Sequence, residues 1–158
     1  MFGSTVTAGH IRAGVIVVAT SLVVACTQAA PTPIGNPVAT KPSGAVLKIA
    51  SPIQNGVVGA AAVKVSVTYN GPKLIPGAEA KKLDDYHLHY FLDEDATAFV
   101  NGAMSIPAGN PHIVHTAATE VTFDNLPAGK HTVTVVMSGN NHVPVTPALT
   151  DTVSFTTE

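Results

Sequence analysis

The sequence predicts an all-β fold, an antiparallel β-sandwich of about seven strands, preceded by two segments that are not part of it. Three observations lead there. Val and Ala dominate the 46% of residues that are hydrophobic, Thr is abundant, Leu and Glu are scarce and Trp is absent, a composition that disfavours a helical bundle and favours strands. Apolar and polar residues alternate with period two over Val63 to Tyr69 and Tyr86 to Leu92, the signature of strands with two distinct faces. From residue 45 onward, Asn, Gly and Pro punctuate short β-rich runs, and no useful length of helical period competes with them.

In chain order, Val46 to Ile49 is an opening strand, closed by Ser51-Pro52 and the turn Gln54-Asn55-Gly56. Val63, Val65, Val67 and Tyr69 then share one face while Lys64, Ser66, Thr68 and Asn70 share the other, until Asn70-Gly71-Pro72 ends the run. Lys73 to Asp85 is a long connection with Pro76-Gly77 and one expected helical turn at 78–83. Tyr86 to Leu92 follows, with Leu88, Tyr90 and Leu92 on one face and His87, His89 and Phe91 on the other. Asp93 to Pro111 reads as loop, with Ala98-Phe99-Val100 expected to pair as a short edge. Residues 119–123, 130–137 and 149–156 are three further strands, separated by turns at 125–129 and 138–141. The expected core includes Val65, Val67, Leu88, Tyr90, Val133 and Val135. This spacing over 45–158 matches an immunoglobulin-like sandwich.

Residues 1–25 read as an export signal. His10 and Arg12 precede Ala13 to Ala25, an uncharged apolar run of signal-peptide length and too short for a comfortable membrane span of about 20 residues. The run ends in Val23-Val24-Ala25-Cys26, which resembles the bacterial lipobox and so implies cleavage before Cys26, lipidation of its sulfur, and a protein anchored to the bacterial membrane facing outside the cytoplasm. Cys26 is the only cysteine, so the domain has no internal disulfide and must be held by its core. Residues 26–44 are the lipidated Cys and a Pro-rich linker: Pro31, Pro33, Pro37 and Pro42 stand among Thr, Ala, Gly and Asn, an extended tether by composition.

Charge excludes one class of partner. Ten acidic and eight basic side chains give a net charge of −2, and Arg12 is the one arginine; no basic footprint exists for neutralising phosphates, so no nucleic acid partner is expected. No Gly-x-Ser-x-Gly, P-loop or His-Glu-x-x-His motif is present, and no enzymatic activity is expected. A superoxide dismutase would also need a glycine-rich context and a disulfide that the chain lacks. The acidic residues Asp84, Asp85, Asp93, Glu94 and Asp95 bracket the 86–92 strand and read as solvated loop residues.

The histidines are the main polar chemistry of a chain with 11% charged residues: six of the seven stand at 87, 89, 112, 115, 131 and 142. His87 and His89, two apart on a strand, project from one face about 7 Å apart, within reach of one ion. In an immunoglobulin-like topology the 86–92 strand pairs with 130–137, which brings the loop carrying His142 to the end where His87 enters. His87, His89 and His142 are therefore the expected metal ligands. His112 and His115, in the loop before the 119–123 strand, are candidates for a fourth, and His131 is a further candidate whose face, shared with Val133, Val135 and Met137, favours instead a core-edge ring bonded to a backbone carbonyl. Imidazoles suit Cu, Zn or Ni without choosing among them; Cu or Zn is the expected cofactor. The alternative is a non-catalytic surface module that binds a protein or glycan partner, with structural histidines.

The blocks Tyr86-His87-Leu88-His89-Tyr90-Phe91-Leu92-Asp93, Leu126-Pro127-Ala128-Gly129-Lys130-His131-Thr132-Val133 and Asn140-Asn141-His142-Val143-Pro144 together resemble a family of small exported bacterial domains of unknown function with an immunoglobulin-like fold. The resemblance spans the C-terminal half. It implies the fold and an extracytoplasmic setting but no activity, and places the family's recurring histidines at His87, His89, His131 and His142.

Overall fold

Alternation of apolar and polar side chains lets a strand bury one face, and among the described residues eight strands form two sheets. The structure, a computed structural model, describes Gly3, residues 35–102 and residues 104–158; the rest of the expected signal segment, Cys26 and residues 27–34 lie outside the described residues. The strands are β1 (Val46–Ser51), β2 (Val57–Val58), β3 (Ala62–Asn70), β4 (His87–Leu92), β5 (Ile113–Thr116), β6 (Glu120–Asp124), β7 (Gly129–Ser138) and β8 (Thr150–Thr157), with a six-residue helix α1 (Thr97–Gly102) between β4 and β5. One sheet has the order β1-β3-β6 and the other β2-β8-β7-β4-β5. All pairs are antiparallel except β2 with β8. This strand order is that of an immunoglobulin-like β-sandwich.

The inner faces meet as the period-two pattern requires. Val63, Val65 and Val67 of β3, Leu88, Tyr90 and Leu92 of β4, Val133, Val135 and Met137 of β7, and Val153 and Phe155 of β8 form one buried cluster, which contains all six residues expected for the core. The buried Tyr90 hydroxyl donates to the Ala118 carbonyl (3.0 Å), so this core phenol has a partner.

Every residue of β4 is buried. Its outer face carries Phe91, which packs with Ala96, Ile106, Ile113 and Val136, with Phe99 and Val100 laid against them. The expected edge pairing of 98–100 is therefore replaced by α1: the Asp95 carboxylate accepts from the Thr97 amide (2.8 Å), capping a turn that the Ala96 carbonyl continues by accepting from Phe99 and Val100. That turn places Phe99 and Val100 over the sheet. The helical turn expected at 78–83 is replaced by turns, with the Pro76 carbonyl accepting from Glu79 and Ala80.

The folded unit begins earlier than Ala45. Ala39 is buried, Thr40 bridges Thr146 in parallel, and the Lys41 amide donates to the Thr146 carbonyl (3.0 Å) while the Thr146 amide donates to that of Ala39 (2.9 Å). The C-terminal part of the Pro-rich segment is thus strand-like and docked. Proline-rich composition reports an extended backbone, and an extended backbone can pair as well as swing free.

Candidate metal centre

The outer face of the β2-β8-β7-β4-β5 sheet is apolar where α1 covers it and histidine-lined where the β7–β8 loop does. His87 and His89 project from β4 on the side opposite the sandwich core, as alternation dictates. His89 pairs directly with His115 of β5, and His87 with Ser138 at the end of β7. His142 arrives from the loop that follows. There the chain turns on Gly139, whose amide donates to Val143 O (3.1 Å) while the His142 amide donates to Gly139 O (2.9 Å). Gly139 is required: a Cβ there would collide with the Leu83 carbonyl and press on Ala39. His142 itself has a φ of 63°, a left-handed conformation uncommon for a residue with a Cβ, held by hydrogen bonds from Ser105 Oγ to Asn141 O and from the Ile106 amide to His142 O (2.9 Å each).

His87, His89, His115 and His142 thereby offer one nitrogen each, all within 4.8 Å of one another, close enough to hold a metal ion. Ring centroids are 4.2 Å apart for His89–His115, 4.6 Å for His87–His89 and 4.9 Å for both His87–His142 and His115–His142. Zinc–nitrogen bonds of about 2.0–2.1 Å in a tetrahedron set nitrogens about 3.4 Å apart, so binding an ion requires the rings to draw in from their present spacing. His87 and His89 are buried and His115 and His142 half-buried. Three buried ring nitrogens, His87 Nδ1 and both of His89, have no partner in hydrogen-bond geometry, the backbone of Asp85 and of Val136 acting on these two rings only as weak opposing pulls, although buried polar atoms are almost always paired. His87 Nε2 only approaches Ser138 Oγ at 3.4 Å, whereas His115 Nε2 donates to the Pro107 carbonyl at 3.2 Å, which leaves Nδ1 with its lone pair.

Burial and mutual repulsion favour the neutral form of His87, His89 and His115, the form that ligates. Burial, then the neighbouring His142 and His115, pushes His87 down to about 4 against the Asp85 backbone; burial, then His87, His115 and His142, pushes His89 to about 2 against the Val136 backbone; burial and His142 lower His115 against its bond to Pro107.

The other candidates stand elsewhere. His112 is exposed in the turn before β5, and His131 lies outside the cluster. Its Nδ1 is 2.7 Å from Asp93 Oδ2 and its Nε2 is 2.9 Å from the Pro127 carbonyl. Two acceptors facing two ring nitrogens call for two protons, an imidazolium paired with a carboxylate. Burial opposes that charge, but the hydrogen bonds to Asp93 and Pro127 and the Asp93 charge outweigh it and raise the pKa. Asp93 also accepts from the Thr132 amide (2.8 Å), tying the end of β4 to β7, while Asp85 accepts from the Lys81 and Lys82 amides. Three of the five acidic residues, Asp85, Asp93 and Asp95, therefore serve local structure.

His115, expected in a loop, is on β5. The usable signal was Ile113-Val114-His115-Thr116, three β-branched residues in four.

The metal-free domain should lose stability toward both extremes of pH. Depressed histidines stabilise the fold above the unfolded value of about 6.5, and this stabilisation is lost as pH falls from there toward about 4, where His87 protonates in the folded state. The raised His131 acts oppositely: its contribution is complete below about 6.5 and is lost as pH rises through its folded value. Tm measured across pH should peak between these limits, and Asp93→Asn should flatten the alkaline limb. A Tm that keeps rising through pH 8 in the parent would refute the His131 assignment.

Comparison with known proteins adds distant structural likenesses only. No protein-family model and no curated protein matches the chain. Among solved structures, fibronectin(III)-like modules of Clostridium thermocellum CbhA align at 13% identity and a TM-score of 0.42, over 72% of this chain and 97% of the module. An engineered protein aligns at 14% identity and a TM-score of 0.44, over 75% of this chain. The aligned region spans about a fifth of that engineered protein, 21%.

Proposed function

We propose that this protein is a non-enzymatic, membrane-anchored extracytoplasmic lipoprotein whose sandwich domain binds a transition metal, Cu or Zn, through His87, His89, His115 and His142. The observation that carries the metal reading is the set of buried, unpartnered nitrogens on His87 and His89 beside two more imidazoles within ligand distance. Structural histidines would be expected to have found hydrogen-bond partners, as His131 has. Four imidazole nitrogens, with no thiolate in the set, suit Zn²⁺ or Cu²⁺ better than Cu⁺. The test is titration of the folded domain with Zn²⁺ and Cu²⁺: one ion per chain supports the reading, and no saturable binding of either ion sinks it. Copper should bind more tightly than zinc at any such nitrogen set, so the metal carried in the cell has to be read from protein isolated without added metal.

The anchor rests on Val23-Val24-Ala25-Cys26. Cys26→Ser should leave unlipidated protein, because the substitution removes the acceptor sulfur. Wild-type protein recovered wholly soluble, with no acyl mass on Cys26, would refute it.

A further inference from the structure

The loop that presents His142 is held from outside the sheets by the segment that leads into the domain. Asn141, next to the ligand, donates from Nδ2 to the Pro37 carbonyl (2.6 Å) and accepts on Oδ1 from the Val143 amide (3.3 Å), so one side chain spans the incoming segment and both flanks of His142. Ala39 is buried beside Gly139, on which the loop turns, so closely that a Cβ at Gly139 would lie 3.0 Å from the Ala39 Cβ. The paired amides of Lys41 and Thr146 tie the segment to the far side of the same loop, and the Tyr86 hydroxyl, one residue before His87, donates to the Thr40 carbonyl (2.9 Å). The contacts therefore converge on chain neighbours of two of the four clustered histidines. Groups bonded directly to metal ligands typically contribute ten- to a hundredfold in metal affinity; contacts that act one residue away from the ligand belong at the lower end of that range.

We propose that residues 37–41 are a strap that positions the His142 loop for metal binding, so that displacing the strap weakens the site with every ligand still present. The inference rests on the reading of the histidine cluster as a metal site. It makes metal affinity depend on the state of the chain leading into the domain, and coupling of this kind is reciprocal: a bound ion must hold the strap down by the same factor that the strap tightens the ion.

The experiment uses the full chain and the zinc ion alone. Ala39→Asp puts a charge into the strap's buried contact and alters neither a ligand nor Asn141; Ala39→Ser, nearly the same size, is its conservative partner. The expected result is zinc affinity about tenfold weaker in Ala39→Asp, near the parent value in Ala39→Ser, with β structure retained in both. In the parent, zinc should slow hydrogen exchange at the Lys41 and Thr146 amides. Zinc affinity unchanged in Ala39→Asp overturns the strap and leaves the metal site standing, as does exchange at Lys41 indifferent to zinc. A parent that binds no zinc overturns both together.

Discussion

Replacing His87 and His89 together by alanine should lower zinc affinity by about four orders of magnitude while leaving the domain folded. A four-ligand zinc site is worth about 10–16 kcal/mol near neutral pH, so each nitrogen accounts for about 3 kcal/mol, or roughly a hundredfold. The two residues share a strand face and project into one cluster, so neither can be replaced by the other. Isothermal titration of parent and double variant, with circular dichroism on both, measures the effect. Equal binding by two folded proteins would assign the histidines to structure and favour the surface-module alternative. His89→Leu separates the two readings from the stability side. Both His89 nitrogens are buried without partners, and such an atom costs about 1–3 kcal/mol; the leucine protein should therefore be at least as stable as the metal-free parent and bind zinc poorly. A structural histidine would give a destabilised protein instead.

The second large effect is on the fold. Leu88 is fully buried, on a strand flanked by β7 and β5 in the five-stranded sheet, opposite Met137 on one side and Thr116 on the other. Leu88→Ala should lower the free energy of unfolding by about 2–5 kcal/mol, from lost burial together with the cavity left in a packed interior. Denaturant unfolding of both proteins gives the figure, and a Leu88→Ala protein as stable as its parent would refute the placement of Leu88 on the inner face of its strand.

What was legible in the sequence followed from local periodicity. Alternation along Tyr86 to Leu92 separates Leu88, Tyr90 and Leu92 from His87, His89 and Phe91, and the structure keeps that separation. The approach of His142 to His87 follows from the pairing of β4 with β7. His131 could be set apart because it shares a face with Val133. The rest depended on contacts between distant segments. His115 sits on a four-residue edge strand, too short to display a period, and its partnership with His89 is a matter of register. Phe99 and Val100 have β propensity, but the Asp95 cap and the apolar surface around Phe91 draw them into a helical turn. The docking of residues 37–41 runs through backbone carbonyls and amides, which every residue type carries, so nothing in the side-chain pattern marks it.

The burial of β4 on both faces bears on how fast an ion can be captured. Two of the four nitrogen donors stand on a strand paired on both sides and covered above and below, so the entropy of orienting them is spent when the chain folds, long before a metal arrives. Small zinc modules that are unfolded without metal work the other way round, with the ion nucleating the fold. Here a chelator should yield an empty but intact receptor, whose recharging requires ring rotations and loss of ion hydration, with no refolding step to slow it.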